Sequence, residues 1–185
     1  MNLRRATLQD LDLMVRVDLD DEGVTPGYRE GWQREDFQAH RELIASFIYD
    51  ADKGSIVADL QNDPSVGVIL WRYRNLNEEH LEDSHLFSQI RAVLPPNGIF
   101  SEIFQLWVQP TFRRTGIGTQ LKLAVEDATR QRDIEMIYTH TEATNAHVID
   151  LNQKLGYREV RRGAIWDDVP RVSLVKELAS PADSG

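Results

Sequence analysis

Two arginines and two glycines lie together in Arg113-Arg114-Thr115-Gly116-Ile117-Gly118, and the flanking residues give them a chemical use. Ahead of them, Ile99 to Val108 is apolar, β-branched and aromatic, the pattern of a largely buried strand, and Pro110 ends its pairing because it offers no N–H. Behind them, Ile117, Leu121, Ala124, Val125 and Ala128 recur at helical spacing. The order is therefore strand, basic glycine loop, helix. The first N–H groups of a helix have no intrahelical partner, and the macrodipole adds partial positive charge there, so a phosphate fits that end. Gly116 and Gly118 lack a Cβ and let an anion approach the backbone, while Arg113 and Arg114 add charge and donors. The spacing is neither the Gly-Lys-Ser/Thr of a P-loop nor the G-x-G-x-x-G dinucleotide fingerprint.

Glu102 is the other residue with chemical potential in this stretch, a carboxylate inside an apolar strand. Such a group is costly to bury unless partnered. It either takes up a proton in a reaction, pairs with an arginine, or faces solvent on a strand edge. The five histidines, His40, His80, His85, His140 and His147, show no recognised metal spacing. With no cysteine in the chain, a disulfide framework, a thiolate nucleophile and a Cys-ligated zinc are all excluded, and no metal is expected.

The elements that must position these groups fit one domain. At 185 residues and 41% apolar content the chain can bury a core, and a single domain over 1–179 with a flexible tail over 180–185 is expected. No apolar run reaches membrane length and the opening residues lead into a polar amphipathic pattern, so no membrane partner is expected and the protein is placed in the cytoplasm. The net charge of -9 argues against nucleic acid, whose phosphates need a basic face, and suits a cationic partner better. Trp32, Trp71, Trp107 and Trp166 accordingly read as core or interface residues.

Along the chain, a short strand near Leu3 precedes Thr7-Leu8-Gln9-Asp10, a capping box that opens a helix with Leu8, Leu11 and Val15 inward and fading near Asp18. Acid, glycine and proline from Asp18 to Gly27 predict a loop, and Gln33 to Tyr49 a helix with Phe37, Ile44, Phe47 and Ile48 on one face. Ser55–Leu60 and Val66–Tyr73 read as a hairpin. Leu86, Ile90 and Val93 predict an inserted helix between Asn75 and Gly98, for packing or for covering a substrate site. After the central helix come a strand over Glu135–Thr141 and a helix over Asn145–Leu155 with Val148, Leu151 and Leu155 inward. An antiparallel pair, Glu159–Trp166 and Arg171–Leu178, ends the fold.

Arg113-x-x-Gly116-x-Gly118 after a strand resembles the pyrophosphate-binding loop of the GNAT superfamily, the acyl-coenzyme A dependent N-acyltransferases. A second segment, Asn145-Ala146-His147-Val148-Ile149-Asp150-Leu151-Asn152-Gln153-Lys154-Leu155-Gly156-Tyr157, resembles that family's N-A-x-A-x-x-L-Y-x-K-L-G-F signature at the expected distance downstream. The likeness covers the latter half by motif and the first half by element order. It implies an α/β fold, GNAT-like, with a mixed, mostly antiparallel central sheet of about seven strands flanked by helices on both faces.

The resemblance also implies roles. The backbone of Leu106, Trp107 and Val108 pairs with the pantetheine arm of acetyl-CoA, and Arg113, Arg114, Thr115, Gly116, Ile117, Gly118 and Thr119 hold its pyrophosphate. Asn145 caps its helix and reaches the cofactor or an ordered water. Glu102, in F-S-E-I, is similar to the general-base glutamate of histone-type members with F-A-E-I. Asn152 departs from the pattern, because its position typically holds a tyrosine that protonates the leaving thiolate. An amide is no acid, so Asn152 is expected near the thioester sulfur as a hydrogen-bond donor only. The implied activity is direct acetyl transfer from acetyl-CoA to a primary amine of a small molecule or peptide, by a monomer or homodimer. Asp18, Asp20, Asp21 and Glu22 fall where the family's loop often walls the acceptor site, so they would attract an ammonium; a solvated surface loop is the alternative. A non-catalytic acyl-CoA binding or sensing domain and an unrelated phosphate-binding domain are the competing readings.

Overall fold

The computed structural model describes residues 1–21, 31–77 and 84–178. In chain order the elements are β1 (Asn2–Arg5), α1 (Leu11–Asp21), α2 (Arg34–Tyr49), β2 (Lys53–Asp59), β3 (Gly67–Asn75), α3 (Ser84–Ile90), β4 (Ile99–Val108), α4 (Ile117–Arg130), β5 (Met136–Glu142), α5 (Ala146–Lys154), β6 (Arg158–Gly163) and β7 (Arg171–Glu177). The strands form a seven-stranded mixed sheet in the order β1-β2-β3-β4-β5-β7-β6, with flanking helices. β4 and β5 pair in parallel, whereas β1/β2, β2/β3, β5/β7 and β6/β7 are antiparallel. The chain divides into two compact units, Met1–Arg72 with Phe104–Leu121, and Tyr73–Ile103 with Lys122–Gly185.

In the first unit Met14 and Val17 of α1 and Ile44 and Phe47 of α2 pack with Val57, Val68 and Leu70 of the β2–β3 hairpin. Phe104 of β4 joins them with its ring 4.8 Å from that of Phe47. The hairpin register sets Ser55 opposite Leu70 and Val57 opposite Val68. Gly67, at the start of β3, lets α4 approach: a Cβ there would lie 2.8 Å from Ile117 Cγ2 and 3.1 Å from Leu121 Cδ1.

The first helix begins and ends later than the sequence suggests. Asp10 accepts from the Thr7 N–H at 2.8 Å, the backward half of the expected capping box, but the helix itself starts at Leu11. Leu8 lies on the preceding turn and is 67% exposed instead of facing inward. Asp10 also takes two hydrogen bonds of 2.8 Å from Arg4, which reaches Asp59 on β2 as well, and the Arg4 contact holds the Asp10 carboxyl down at about 2. The helix continues to Asp21, so Asp18 and Asp20 are helical, not loop residues. Asp18 is buried, with His40 Nε2 of α2 at 3.2 Å. The expected loop over 22–27 lies outside the described residues, as does the tail over 180–185.

In the second unit, α3 packs Leu86, Phe87 and Ile90 with Phe100, Tyr138 and Val175, which gives the inserted segment a packing role. β6 ends at Gly163, short of the expected Trp166, which lies in the connection to β7 at 57% exposure. Arg171 stacks on the Trp166 ring at 4.6 Å, and Trp166 meets His140 edge to face at 5.1 Å. In α5, Val148, Leu151 and Leu155 are only half-buried where an inward face was expected, and the helix's buried residue is Asn152.

Candidate active site

The basic loop is built as local chemistry dictates. Pro110–Phe112 makes a 3-10 turn that stops β4, and Thr115 Oγ1 closes it by donating to the Phe112 carbonyl at 2.7 Å. Arg114 has φ +65° and Gly116 φ +91°, a pair of left-handed residues that turn the chain into α4. The Gln120 N–H donates to the Gly116 carbonyl at 3.0 Å, so the amides of Ile117, Gly118 and Thr119 precede the first helical hydrogen bond. Arg113 folds back, its Nε donating to the Val108 carbonyl at 3.1 Å, while Arg114, Thr115 and Gly116 are exposed. A Cβ on Gly116 would meet no protein atom within 4 Å, so the face that glycine leaves bare is open to a ligand. A left-handed glycine, open approach, helix-start amides and two arginines fit a diphosphate.

On β4 ahead of the loop, Leu106, Trp107 and Val108 are half-buried. Sequence reasoning passed over Gln105, a buried residue whose Oε1 accepts from the Leu106 N–H at 3.2 Å. That amide is one of the donors a strand-like ligand would use. Gln105 therefore holds a backbone group that ligand pairing would take over. Trp107 lines an open cleft of about 430 Å³ with Arg16, Ser65 and Gln109, none of them in the basic loop.

Glu102 lies in the second unit, opposite Tyr138 in the β4–β5 ladder. Its side chain is buried, with Arg74 Nε 3.5 Å from Oε2, and the Arg74 guanidinium lies over the Phe87 ring at 5.1 Å. Arg74 is the arginine partner anticipated as the structural reading of Glu102. The pair also supplies a carboxylate fixed in orientation, which a proton acceptor needs. Asn145 caps α5, its side chain accepting from the Val148 N–H at 3.4 Å. Asn152 is fully buried and donates through Nδ2 to the Val148 carbonyl at 2.9 Å.

A buried charge cluster on α4 escaped the sequence reading. Lys122 and Glu126 are both buried one helical turn apart. Glu126 receives Lys176 at 2.6 Å and Arg130 at 3.4 Å. Lys122 Nζ makes no hydrogen bond among the described residues and lies 4.4 Å from the centre of the Tyr157 ring. Burial pulls the Lys122 ammonium down to about 7, against the upward pull of Glu126, and burial pushes the Tyr157 phenol up. The carboxylates expected to wall an acceptor site do not form one loop cluster. Asp18 is buried against His40, Asp20 is exposed on α1, and Glu22 lies outside the described residues.

Among the described residues no helix is long and apolar enough to cross a membrane, and no three His, Cys, Asp or Glu side chains group as a metal site requires. No curated protein matches the chain by sequence. Among solved structures the chain is similar to Arabidopsis thaliana NAA60 in complex with a bisubstrate analogue, with a TM-score of 0.69 and 19% identity over 97% of this chain and 98% of that one. The same plant protein in complex with acetyl-CoA gives 0.68 and 18%, over 95% and 97%. The ribosomal-protein-alanine N-acetyltransferase of Brucella melitensis gives 0.65 and 20%, over 96% and 100%. The acetyltransferase (GNAT) family description matches residues 21–157, most of the chain, and with the strand, basic glycine loop and helix in place the protein belongs to that family.

Proposed function

We propose that the protein is an N-acetyltransferase that moves the acetyl group of acetyl-CoA directly to a primary amine of a small molecule or peptide. The observation that carries this reading is the loop from Arg113 to Thr119, where an open left-handed glycine, arginines and the start of α4 suit the pyrophosphate of the co-substrate. The complexes of the plant NAA60 with acetyl-CoA and with a bisubstrate analogue support acetyl-CoA as the donor. The ribosomal-protein-alanine acetyltransferase supports a peptide or protein amine as acceptor.

In this reading the β4 backbone at Leu106 to Val108 takes the pantetheine arm as an added strand, with Gln105 releasing the Leu106 N–H. Glu102, held by Arg74, receives the proton of the acceptor ammonium, directly or through water. The neutral amine nitrogen then forms a bond to the thioester carbonyl carbon, the carbon–sulfur bond breaks, and the coenzyme A thiolate takes up the second proton shed by the amine nitrogen, directly or through water. Asp20 is exposed on α1 but Asp18 is buried against His40, so these carboxylates do not act as one acidic loop, and the amine panel reads the acceptor's charge.

A second reading, a non-catalytic acyl-CoA binding domain, is favoured by one observation: the helix position of the usual tyrosine acid holds a fully buried asparagine, Asn152. Turnover separates the two. Acetyl-CoA is incubated with polyamines, aminoglycosides, amino acids and peptide amines, and free coenzyme A is measured. Amine-dependent release is expected; tight binding of coenzyme A with no release above hydrolysis for any amine would favour the second reading.

A further inference from the structure

Phe87, the central apolar residue of α3, is buried with its ring centre 5.4 Å from that of Phe100 and 5.6 Å from that of Tyr138. Those two rings stand on the strands that carry the buried carboxylate: Phe100 is two residues ahead of Glu102 on β4, and Tyr138 is the partner of Glu102 on β5. The Arg74 guanidinium lies over the Phe87 ring at 5.1 Å, within the reach of a cation–π contact, and its Nε is 3.5 Å from Glu102 Oε2. The contacts close a circuit from Glu102 to Arg74, to Phe87, to Tyr138 and back to Glu102 across the ladder. Both charged side chains are buried, and a buried ion pair gains little over apolar groups of the same volume. Leu86, Ile90, Met136 and Val175 make the rest of this core apolar, so packing alone gives no reason for a guanidinium on the ring.

We propose that Phe87 and Arg74 are positioning residues for the reaction: the ring holds the guanidinium, the guanidinium holds the Glu102 carboxylate in one orientation, and the inserted helix α3 thereby serves the base. This rests on the reading of Glu102 as proton acceptor given above. A proton acceptor needs an oxygen fixed in place and a charge restored after each turnover. A cation close to the carboxylate favours its ionised form, and a planar guanidinium pressed on a ring has fewer orientations open to it than an ammonium. The titratable groups that β5 and α3 bring nearby are Tyr138, whose phenol is 3.1 Å from Ser173 Oγ, His140, whose ring lies 6.0 Å from that of Tyr138, and His85, exposed beside Gln89.

The test reads kcat against pH, with the amine that gives most release in the panel, for wild type, Phe87→Leu, Arg74→Met and the double variant, beside coenzyme A affinity by calorimetry and a melting curve. Phe87→Leu keeps an apolar side chain in the core and removes the ring. It should lower kcat at neutral pH by about 10–10²-fold and leave coenzyme A affinity unchanged. It should also move the acidic limb, the one that Glu102→Gln removes, to higher pH, because a carboxylate that loses its neighbouring cation takes up a proton more readily. Arg74→Met should move the limb further, by about 1–3 pH units. The double variant should be no worse than Arg74→Met alone, since Phe87 acts through Arg74. Arg74→Lys, which restores the charge without the planar group, should return the limb towards wild type and leave kcat low. An acidic limb that stays in place in Phe87→Leu, or losses that multiply in the double variant, would overturn the inference; if Arg74→Met does not fold, the limb of Phe87→Leu decides alone. Wild type with no amine-dependent release, or Glu102→Gln at the wild-type rate, would instead overturn the functional reading and take the inference with it.

Discussion

Replacing Lys122 by Met should make the protein more stable at neutral pH and flatten its pH dependence. The Lys122 ammonium is buried on α4 without a hydrogen bond among the described residues, and it is pulled from 10.5 to about 7. Between those values the unfolded chain binds a proton at this side chain that the folded chain does not. Stability therefore rises with pH from about 7 towards 10.5 and levels below 7. At 1.36 kcal/mol per pH unit the full excursion is on the order of 5 kcal/mol, an upper figure that relaxation and water entry reduce. Tyr157 acts oppositely at the alkaline end: its phenol is pushed up by burial, so stability falls once the unfolded tyrosine ionises near its ordinary value. Methionine fills the stem's volume and orphans no partner, because Glu126 keeps Lys176 and Arg130. A gain of about 1–4 kcal/mol at pH 7 is expected, in line with other replacements of buried charge by apolar groups. Urea melts at half-unit steps from pH 6.5 to 9.5 read both quantities. A wild-type profile flat over that range, together with a destabilised variant, would refute the reasoning and show Lys122 to be a satisfied, charged core residue.

Two further substitutions probe the site. Gly116→Ala meets no steric obstacle in the protein but must adopt φ +91°, so it should lower stability by about 1 kcal/mol and weaken coenzyme A by more than that strain accounts for; calorimetry beside a melting curve separates the two, and unchanged affinity removes the loop from the site. Glu102→Gln should lower kcat by about 10²–10⁴-fold, leave coenzyme A affinity nearly as it was and abolish the acidic limb of the pH–rate profile, whereas a near-normal rate across pH would leave Glu102 only its pairing with Arg74.

The parts of this protein that were legible from sequence are those whose cause is local. Pro110, the glycines and the periodicity of Ile117, Leu121 and Val125 act within a few residues of one another, and the strand, loop and helix appear where they place them. α1 was cut short because acid and glycine after Asp18 read as loop, while what buries Asp18 is His40 on the next helix, which no local pattern shows. Lys122 and Glu126 fall outside the apolar spacing of Ile117, Leu121, Ala124, Val125 and Ala128, so periodicity gives no sign of their burial; only the three-dimensional placement of Lys176 and Tyr157 reveals a second buried face of α4. α5 carries the complementary error. Its leucines and valine predict an inward stripe, yet they are half-exposed and the asparagine is inside. Gln105 gave no signal at all, since its hold on the Leu106 amide depends on side-chain conformation.

The measurement that bears most directly on the central claim is release of free coenzyme A from acetyl-CoA in the presence of an amine panel, run in parallel on wild type and Glu102→Gln. The account predicts amine-dependent release by wild type, with mass spectrometry finding one acetyl group on the amine, and loss of that rate in the variant while both proteins still bind coenzyme A. Coenzyme A that does not bind wild type, or release that is independent of every amine and equal in the two proteins, would contradict it.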